Sequence, residues 1–75
     1  MIDAHEAIQI ASDARGEPVA GIGLADDGYV VGFHGRDPFA NLPMFVDAHT
    51  GEARTLGAGE YVKIMDTLRP VFLDD

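Results

Sequence analysis

The segment at residues 41–52 constrains the fold of this chain more than any other part of the sequence. Its apolar residues 44–46 are typical of a short buried strand, and the polar residues after them are turn formers. The side-chain oxygens of Asp47 and Thr50 can accept hydrogen bonds from nearby backbone N–H groups, and Gly51 can adopt a positive φ. The segment therefore predicts a β-hairpin near the middle of the chain.

The length of the chain limits what can surround this hairpin. Seventy-five residues make one domain with a modest core, because a chain this short buries only about 60% of its unfolded surface. The apolar share of 47% is that of a globular protein. There is no cysteine, which excludes disulfides and thiolate metal sites. We therefore expect a single small domain over residues 1–75.

Helical signals lie on both sides of the strand region. Asp3 is placed to cap a helix over residues 3–15, with Glu6 at capping-box spacing and Gly16 as the terminating residue. A second apolar stripe at helical spacing, over residues 57–69, predicts a last helix that ends at Pro70.

Four short strands are predicted between the helices, at residues 19–24, 29–34, 44–47 and 52–56. Asp26-Asp27-Gly28 predicts the first hairpin turn, with Gly28 in the left-handed region. Gly21 and Gly23 share one strand face, which is either approached by another backbone or open to solvent or a partner. The expected fold is α+β: an N-terminal helix, a small antiparallel sheet of three to four strands and a C-terminal helix. We expect both helices to cover one face of that sheet.

The net charge of −8 favours a protein partner over nucleic acid. Thirteen acidic residues outnumber five scattered basic ones, so no basic patch for nucleic acid is predicted. No apolar run approaches the roughly 20 residues of a membrane helix, and the N-terminus lacks a secretory signal, which favours the cytoplasm. Charge steering suits a basic protein partner, although solubility alone also explains an acidic surface.

Catalytic and metal chemistry finds little support in the residue pattern. His5, His34 and His49 lie in a helix, a strand and a turn without the spacing of metal ligands. Asp26 and Asp27 are explained by turn formation, and no nucleophile lies in a catalytic context. No catalytic residue, cofactor or metal is therefore predicted. A small enzyme or metal-binding protein stays a third hypothesis that metal analysis would test.

The central segment also carries a resemblance to a known family. Asn41-Leu42-Pro43-Met44-Phe45-Val46-Asp47-Ala48-His49-Thr50-Gly51-Glu52-Ala53 resembles the signature "N-x-P-hydrophobic-hydrophobic-V-D-x-x-T-G-x-V" of the YrhB-like proteins, the immunity protein 35 group of bacterial polymorphic-toxin systems. Residues 6–11 are similar to the opening helix of that group. Leu56 and Gly57 fall where the group has a glycine step, and Tyr61 falls where it has a tyrosine-bearing last helix. A "VD-x-x-TG" hairpin also occurs in PepSY-type domains, which are small regulatory or inhibitory modules.

The resemblance implies a cytoplasmic immunity protein that binds and neutralises a cognate toxin by occlusion, without catalysis. A basic, nuclease-type toxin domain would match the negative charge, and the protein would act as a monomer or a homodimer. A PepSY-like regulatory module is the second hypothesis. The candidate partner contacts are the acidic residues at predicted turns and loops, together with any aromatic side chain exposed beside them. These acidic residues are Asp26, Asp27, Asp37, Asp47 and Glu52.

Overall fold

The computed structural model of the chain describes residues 1–34 and 42–71. Its elements in chain order are α1 (Ala4–Arg15), β1 (Val19–Leu24), β2 (Gly28–Phe33), β3 (Met44–Asp47), β4 (Ala53–Thr55), α2 (Ala58–Met65) and β5 (Arg69–Pro70). The α+β fold predicted from the sequence is confirmed, with a helix before and after four antiparallel strands. Phe39 and Phe72, which the sequence predicts to pack on the core, lie outside the described residues.

The ends of helix α1 are set by the residues that the sequence indicated. A carboxylate oxygen of Asp3 accepts a hydrogen bond from the backbone N–H of Glu6 at 2.8 Å, which satisfies one free donor of the first turn. Gly16 ends the helix in the left-handed region at φ 73°, and its N–H donates to the carbonyl of Ser12. The predicted N-cap and C-terminal glycine are both confirmed.

The sheet has the strand order β4-β3-β2-β1-β5, and all its pairs are antiparallel. Strands β1 to β4 form a meander, as expected for strands joined by short connections. The two-residue β5 adds a strand that the sequence did not predict: Arg69 pairs with Leu24, and Pro70 with Gly23. Pro70 therefore lies in an edge strand, and α2 ends five residues before it, at Met65.

The main core lies between α1 and one face of the sheet. Alternate residues of β2 and β3 point towards α1, and its alanines allow the helix to approach the sheet closely. The buried members are Ala7, Ala11, Val31, Phe33, Met44 and Val46. Arg15 extends this contact at the end of the helix, because its guanidinium lies 4.6 Å from the Phe33 ring centroid and donates to the carbonyl of Leu42 at 2.9 Å.

Helix α2 covers the opposite face of the sheet, so the prediction that both helices share one face is wrong. Val30 points away from its buried neighbour Val31 and packs in a second cluster with Ala25 and Leu56. Tyr61 and Ile64 of α2, together with Leu68 and Phe45, complete this cluster. No residue of α2 is fully buried, which makes this the thinner of the two layers.

Two details of β1 and its turn also differ from the sequence prediction. The alternation of a regular strand predicts Ala20 and Ile22 on one face, but the register shifts between Val19 and Gly21. Ala20 is therefore exposed in a bulge, and Val19 packs with Ile22 against the α1-side core. Gly28 was expected in the left-handed region, yet the positive φ values among the described residues belong to Gly16 and Gly51.

Position 28 requires a glycine because there is no room for a side chain. A Cβ added there would lie 2.2 Å from the carbonyl oxygen of Val46 on the neighbouring strand. Gly51, in contrast, has a φ of 77°, as the hairpin prediction required.

Candidate partner-binding site

Four of the five predicted contact residues lie at one end of the sheet. Asp26 and Asp27 form the turn between β1 and β2, while Asp47 and Glu52 flank the turn between β3 and β4. The meander brings both turns to the same end, and the backbone N–H of Ala48 donates to the carbonyl of Asp27 at 3.0 Å. The fifth candidate, Asp37, lies outside the described residues.

Asp47 holds the second turn together. One carboxylate oxygen accepts from the backbone N–H of His49 at 2.7 Å and from that of Thr50 at 3.1 Å. These bonds, the one from His49 first, favour the charged form and hold the pKa of Asp47 below its usual value. A carboxylate engaged in this way has a structural role, which limits its capacity for partner contact to the second oxygen.

The other carboxylates at this end are more available. Asp26 lies 3.5 Å from the guanidinium of Arg69, and both side chains are well exposed, so this ion pair contributes little to stability. Asp27 and Glu52 are exposed, and within residues 1–34 and 42–71 their carboxylates have no hydrogen-bonding or ionic partner.

Phe45 of β3 and Arg54 of β4 lie next to the β3–β4 turn. Neither was named from the sequence, which predicted only that an exposed aromatic side chain beside the carboxylates would take part. The two residues face each other across β3 and β4, and the guanidinium carbon lies 5.4 Å from the ring centroid, within range of a cation–π contact. Arg54 also donates to Glu60 of α2 at 2.9 Å. The predicted hairpin register could have revealed this pair, because residues opposite each other on neighbouring strands share a face.

The Phe45–Arg54 pair lines two shallow concavities. One, of about 130 Å³, is lined by Asp47, Glu52 and Ala53 as well as by the pair. The other, of about 220 Å³, lies on the side of Asp26 and Asp27. Pockets for small molecules usually measure about 300–1,000 Å³. Concavities of this size suit single side chains of a partner better than a whole metabolite.

The charges at this end of the molecule are mostly negative. Five carboxylates, including that of Glu60, stand against the guanidinium groups of Arg54 and Arg69, which gives a net charge of −3. The two arginines also demonstrate that this surface accommodates guanidinium groups, one on an aromatic ring and one beside a carboxylate.

The histidines do not converge on a metal site within the part of the chain that the structure describes. His5 and His49 are exposed on α1 and in the β3–β4 turn, and His34 follows β2. Among residues 1–34 and 42–71, no group of three or more histidine, aspartate or glutamate side chains is arranged to hold a metal ion. Neither described helix has the length and apolar character needed to cross a bilayer.

Comparison of the chain with protein-family models, with curated proteins and with solved structures finds no match. The resemblance of the central segment to the immunity protein group therefore stays a prediction from the sequence.

Proposed function

We propose that this protein is an immunity protein that binds a cognate toxin domain and neutralises it by occlusion, without catalysis. The partner is a protein with a basic surface, and a basic nuclease-type toxin fits this requirement. The observation that carries the proposal is the gathering of Asp26, Asp27 and Glu52 around Phe45, at one end of a chain with a net charge of −8.

The chemistry of this surface supports protein recognition in two ways. Exposed carboxylates accelerate the encounter with a basic partner, because complementary charge raises association rates. Phe45 is half-buried, lines both concavities and offers apolar contact area beside the carboxylates. Aromatic side chains at the centre of an interface carry a large share of the binding energy, while surrounding polar groups exclude water and fix the orientation.

Co-expression with the product of a toxin gene encoded beside this one tests the proposal. The expected result is that the chain restores growth and forms a one-to-one complex with the purified toxin domain. The double variant Asp27→Lys/Glu52→Lys reverses two exposed charges and should weaken binding at least tenfold, mainly through slower association.

The matched control is Glu6→Lys/Asp13→Lys, which makes the same charge change on the exposed side of α1. This control should bind nearly as well as the unchanged protein. Failure of the unchanged chain to bind or neutralise the toxin would refute the proposal. Equal weakening by both double variants would show that only total charge matters, and would refute the assignment of the contact surface.

A further inference from the structure

The larger of the two concavities has room for one long side chain and combines apolar and acidic lining residues. Its volume is about 220 Å³, below the range of about 300–1,000 Å³ that is usual for small-molecule pockets. Part of its wall is apolar, because Phe45 and Ile64 pack there against the buried Ala25. Asp26 and Asp27, which are exposed in the β1–β2 turn, line it as well. We call this concavity the turn cavity.

One carboxylate of the turn cavity has no cation beside it. Asp26 already pairs with Arg69, whose guanidinium lies 3.5 Å away. Arg54, which also lines the cavity, lies 2.9 Å from the carboxylate of Glu60. In the part of the chain that the structure describes, the carboxylate of Asp27 has no ionic or hydrogen-bonding partner. The cavity can therefore accept one further positive charge.

The end of helix α2 adds a hydrogen-bond acceptor and partial negative charge to the same cavity. Ile64 lies in the last turn of the helix, Thr67 follows its end, and both residues line the cavity. The carbonyl of Ile64 accepts hydrogen bonds from the N–H and from the hydroxyl of Thr67, each at 2.9 Å. The hydroxyl oxygen keeps lone pairs that can accept a hydrogen bond from a ligand. The carbonyl groups at a helix C-terminus favour cations, so this wall attracts the same sign of charge as Asp27 does.

An arginine side chain matches these walls better than a lysine side chain does. Its methylene stem can cover Phe45 and Ile64 while the guanidinium stays at an exposed carboxylate. A guanidinium carries five donors in a planar fork that can serve a carboxylate and a second acceptor, whereas an ammonium is a compact, strongly hydrated charge. Two guanidinium groups of the chain itself already make such contacts here: Arg54 lies over Phe45, and Arg69 lies beside Asp26.

We propose that the turn cavity receives one arginine side chain of the protein partner. The guanidinium binds the carboxylate of Asp27 and the hydroxyl oxygen of Thr67, and the methylene stem packs on Phe45 and Ile64. This inference rests on the proposed function for the identity of the partner as a toxin, and it specifies the chemistry by which that partner is recognised. The cavity itself can be tested with a peptide.

NMR titration of the isotope-labelled chain with capped peptides tests the cavity directly. The probe is acetyl-Gly-Ser-Arg-Ser-Gly-amide, and two matched peptides carry citrulline or lysine in place of the arginine. Citrulline keeps the shape of arginine but has no charge. The arginine peptide should shift the amide signals of Asp27, Ile64 and Thr67 until they saturate. The citrulline peptide should bind about fivefold more weakly, which corresponds to about 1 kcal/mol, and the lysine peptide about threefold more weakly.

A pair of variants connects binding to Asp27. Asp27→Ser removes the unpaired carboxylate but keeps a turn-forming residue, and it should weaken binding of the arginine peptide about fivefold. Glu52→Ser is the matched control, because Glu52 is also exposed and lines the other concavity. This control makes the same charge change and should leave the binding nearly unchanged.

A gain of affinity provides a second test, which partial unfolding of a variant cannot imitate. Arg69→Gln releases the carboxylate of Asp26 from its present cation, so the arginine peptide should bind about threefold more tightly. Lys63→Gln is the matched control, because Lys63 is exposed on α2 and does not line the cavity. It makes the same charge change and should have a smaller effect. Thermal melts confirm that each variant is folded.

The outcomes separate this inference from the proposed function. Absence of saturable binding, equal binding of the citrulline or lysine peptide, or equal weakening by Asp27→Ser and Glu52→Ser would overturn the arginine site. Sedimentation that reveals a dimer dissociated by the arginine peptide would also overturn it, in favour of an arginine from a second copy. Toxin neutralisation without binding of the arginine peptide refutes the arginine site alone. Selective peptide binding without toxin neutralisation refutes the proposed function alone.

Discussion

Gly28 begins β2 and pairs with Asp47 of β3. Because an added Cβ would lie 2.2 Å from the carbonyl oxygen of Val46, Gly28→Ala must push the two strands apart. Overpacking of this kind costs about 1–3 kcal/mol. In a domain of this size, each kcal/mol lowers the melting temperature by roughly 4–8 °C. Circular dichroism melts should therefore show a clear loss of stability for Gly28→Ala.

Gly21→Ala is the matched control for this prediction. Both glycines lie in paired strands, but the Cβ added at Gly21 meets no described atom within 4 Å. The control should melt within a few degrees of the unchanged protein. Equal melting temperatures for the two variants would contradict the steric explanation. They would favour the alternative that position 28 needs a glycine for its backbone conformation.

Asp47 stabilises its turn only while its carboxylate is charged. The backbone N–H groups of His49 and Thr50 hold its folded-state pKa below the ordinary value of 3.8. The contribution to stability is therefore fully present well above pH 3.8, and it disappears as the pH falls through the lower folded-state pKa. Asp47→Asn retains an acceptor oxygen for the turn but loses the charge.

Urea unfolding at pH 7 and at pH 3 or below tests whether the stabilisation by the Asp47 charge is lost as the pH falls. The unchanged protein should unfold at a higher urea concentration than Asp47→Asn at pH 7, and the difference should shrink at acid pH. The other carboxylates titrate in both proteins, so their contribution cancels in the difference in stability between the unchanged protein and Asp47→Asn. A difference that grows at low pH would contradict the assigned role of the charge.

Helix α1 provides a prediction at the level of the element. Asp3→Ala removes the side-chain acceptor for the N–H of Glu6, and loss of an N-cap costs about 0.5–2 kcal/mol. Asp13→Ala is the matched control: it removes the same charge from the same helix, but only an exposed bond from Gln9 at 2.9 Å. Urea unfolding should rank Asp3→Ala clearly below Asp13→Ala in stability, and the reverse order would contradict the cap.

The elements that the sequence predicted correctly are those with local signals. The cap of α1 and the turn at Gly51 depend on residues a few positions apart, so their chemistry is readable along the chain. The position of α2 depends on which side of the sheet its apolar residues cover. Tyr61 and Ile64 would suit either face equally well, and only the packing of Val30 and Leu56 decides between them.

The candidate site could likewise be predicted from the sequence only where its signals are local. The turn propensity of Asp26, Asp27 and Glu52 is local, and a meander necessarily gathers alternate turns at one end of the sheet. The stacking of Arg54 on Phe45 depends on strand register, which the sequence fixes only through the hairpin. The pairing of Gly21 with Gly32 lies on the turn side of the bulge and follows from the register of the first hairpin, whereas the bulge at Ala20 left no recognisable signal in the sequence.

The charge of the whole molecule acts on its stability as well as on its partners. The greatest extent of the fold is 29 Å, and the Debye length is about 30 Å at 0.01 M salt, so carboxylates throughout the molecule repel one another at low ionic strength. The two ion pairs among the described residues, Arg54–Glu60 and Arg69–Asp26, are exposed and offset little of this repulsion. The compact state is thus disfavoured relative to the expanded chain.

Sodium chloride should therefore stabilise this protein. Between about 0.01 M and 0.15 M salt the Debye length falls to about 8 Å, and the melting temperature should rise by roughly 4–8 °C, the shift that about 1 kcal/mol produces in so small a domain.

The control variant neutralises four exposed carboxylates and reduces the net charge from −8 to −4. Its substitutions are Glu17→Gln, Asp27→Asn, Glu52→Gln and Asp66→Asn. The variant should melt higher at low salt and respond less to added salt. An equal salt response in both proteins would mean that ion-specific effects, and not self-repulsion, govern the stability, since repulsion must weaken when half of the net charge is removed.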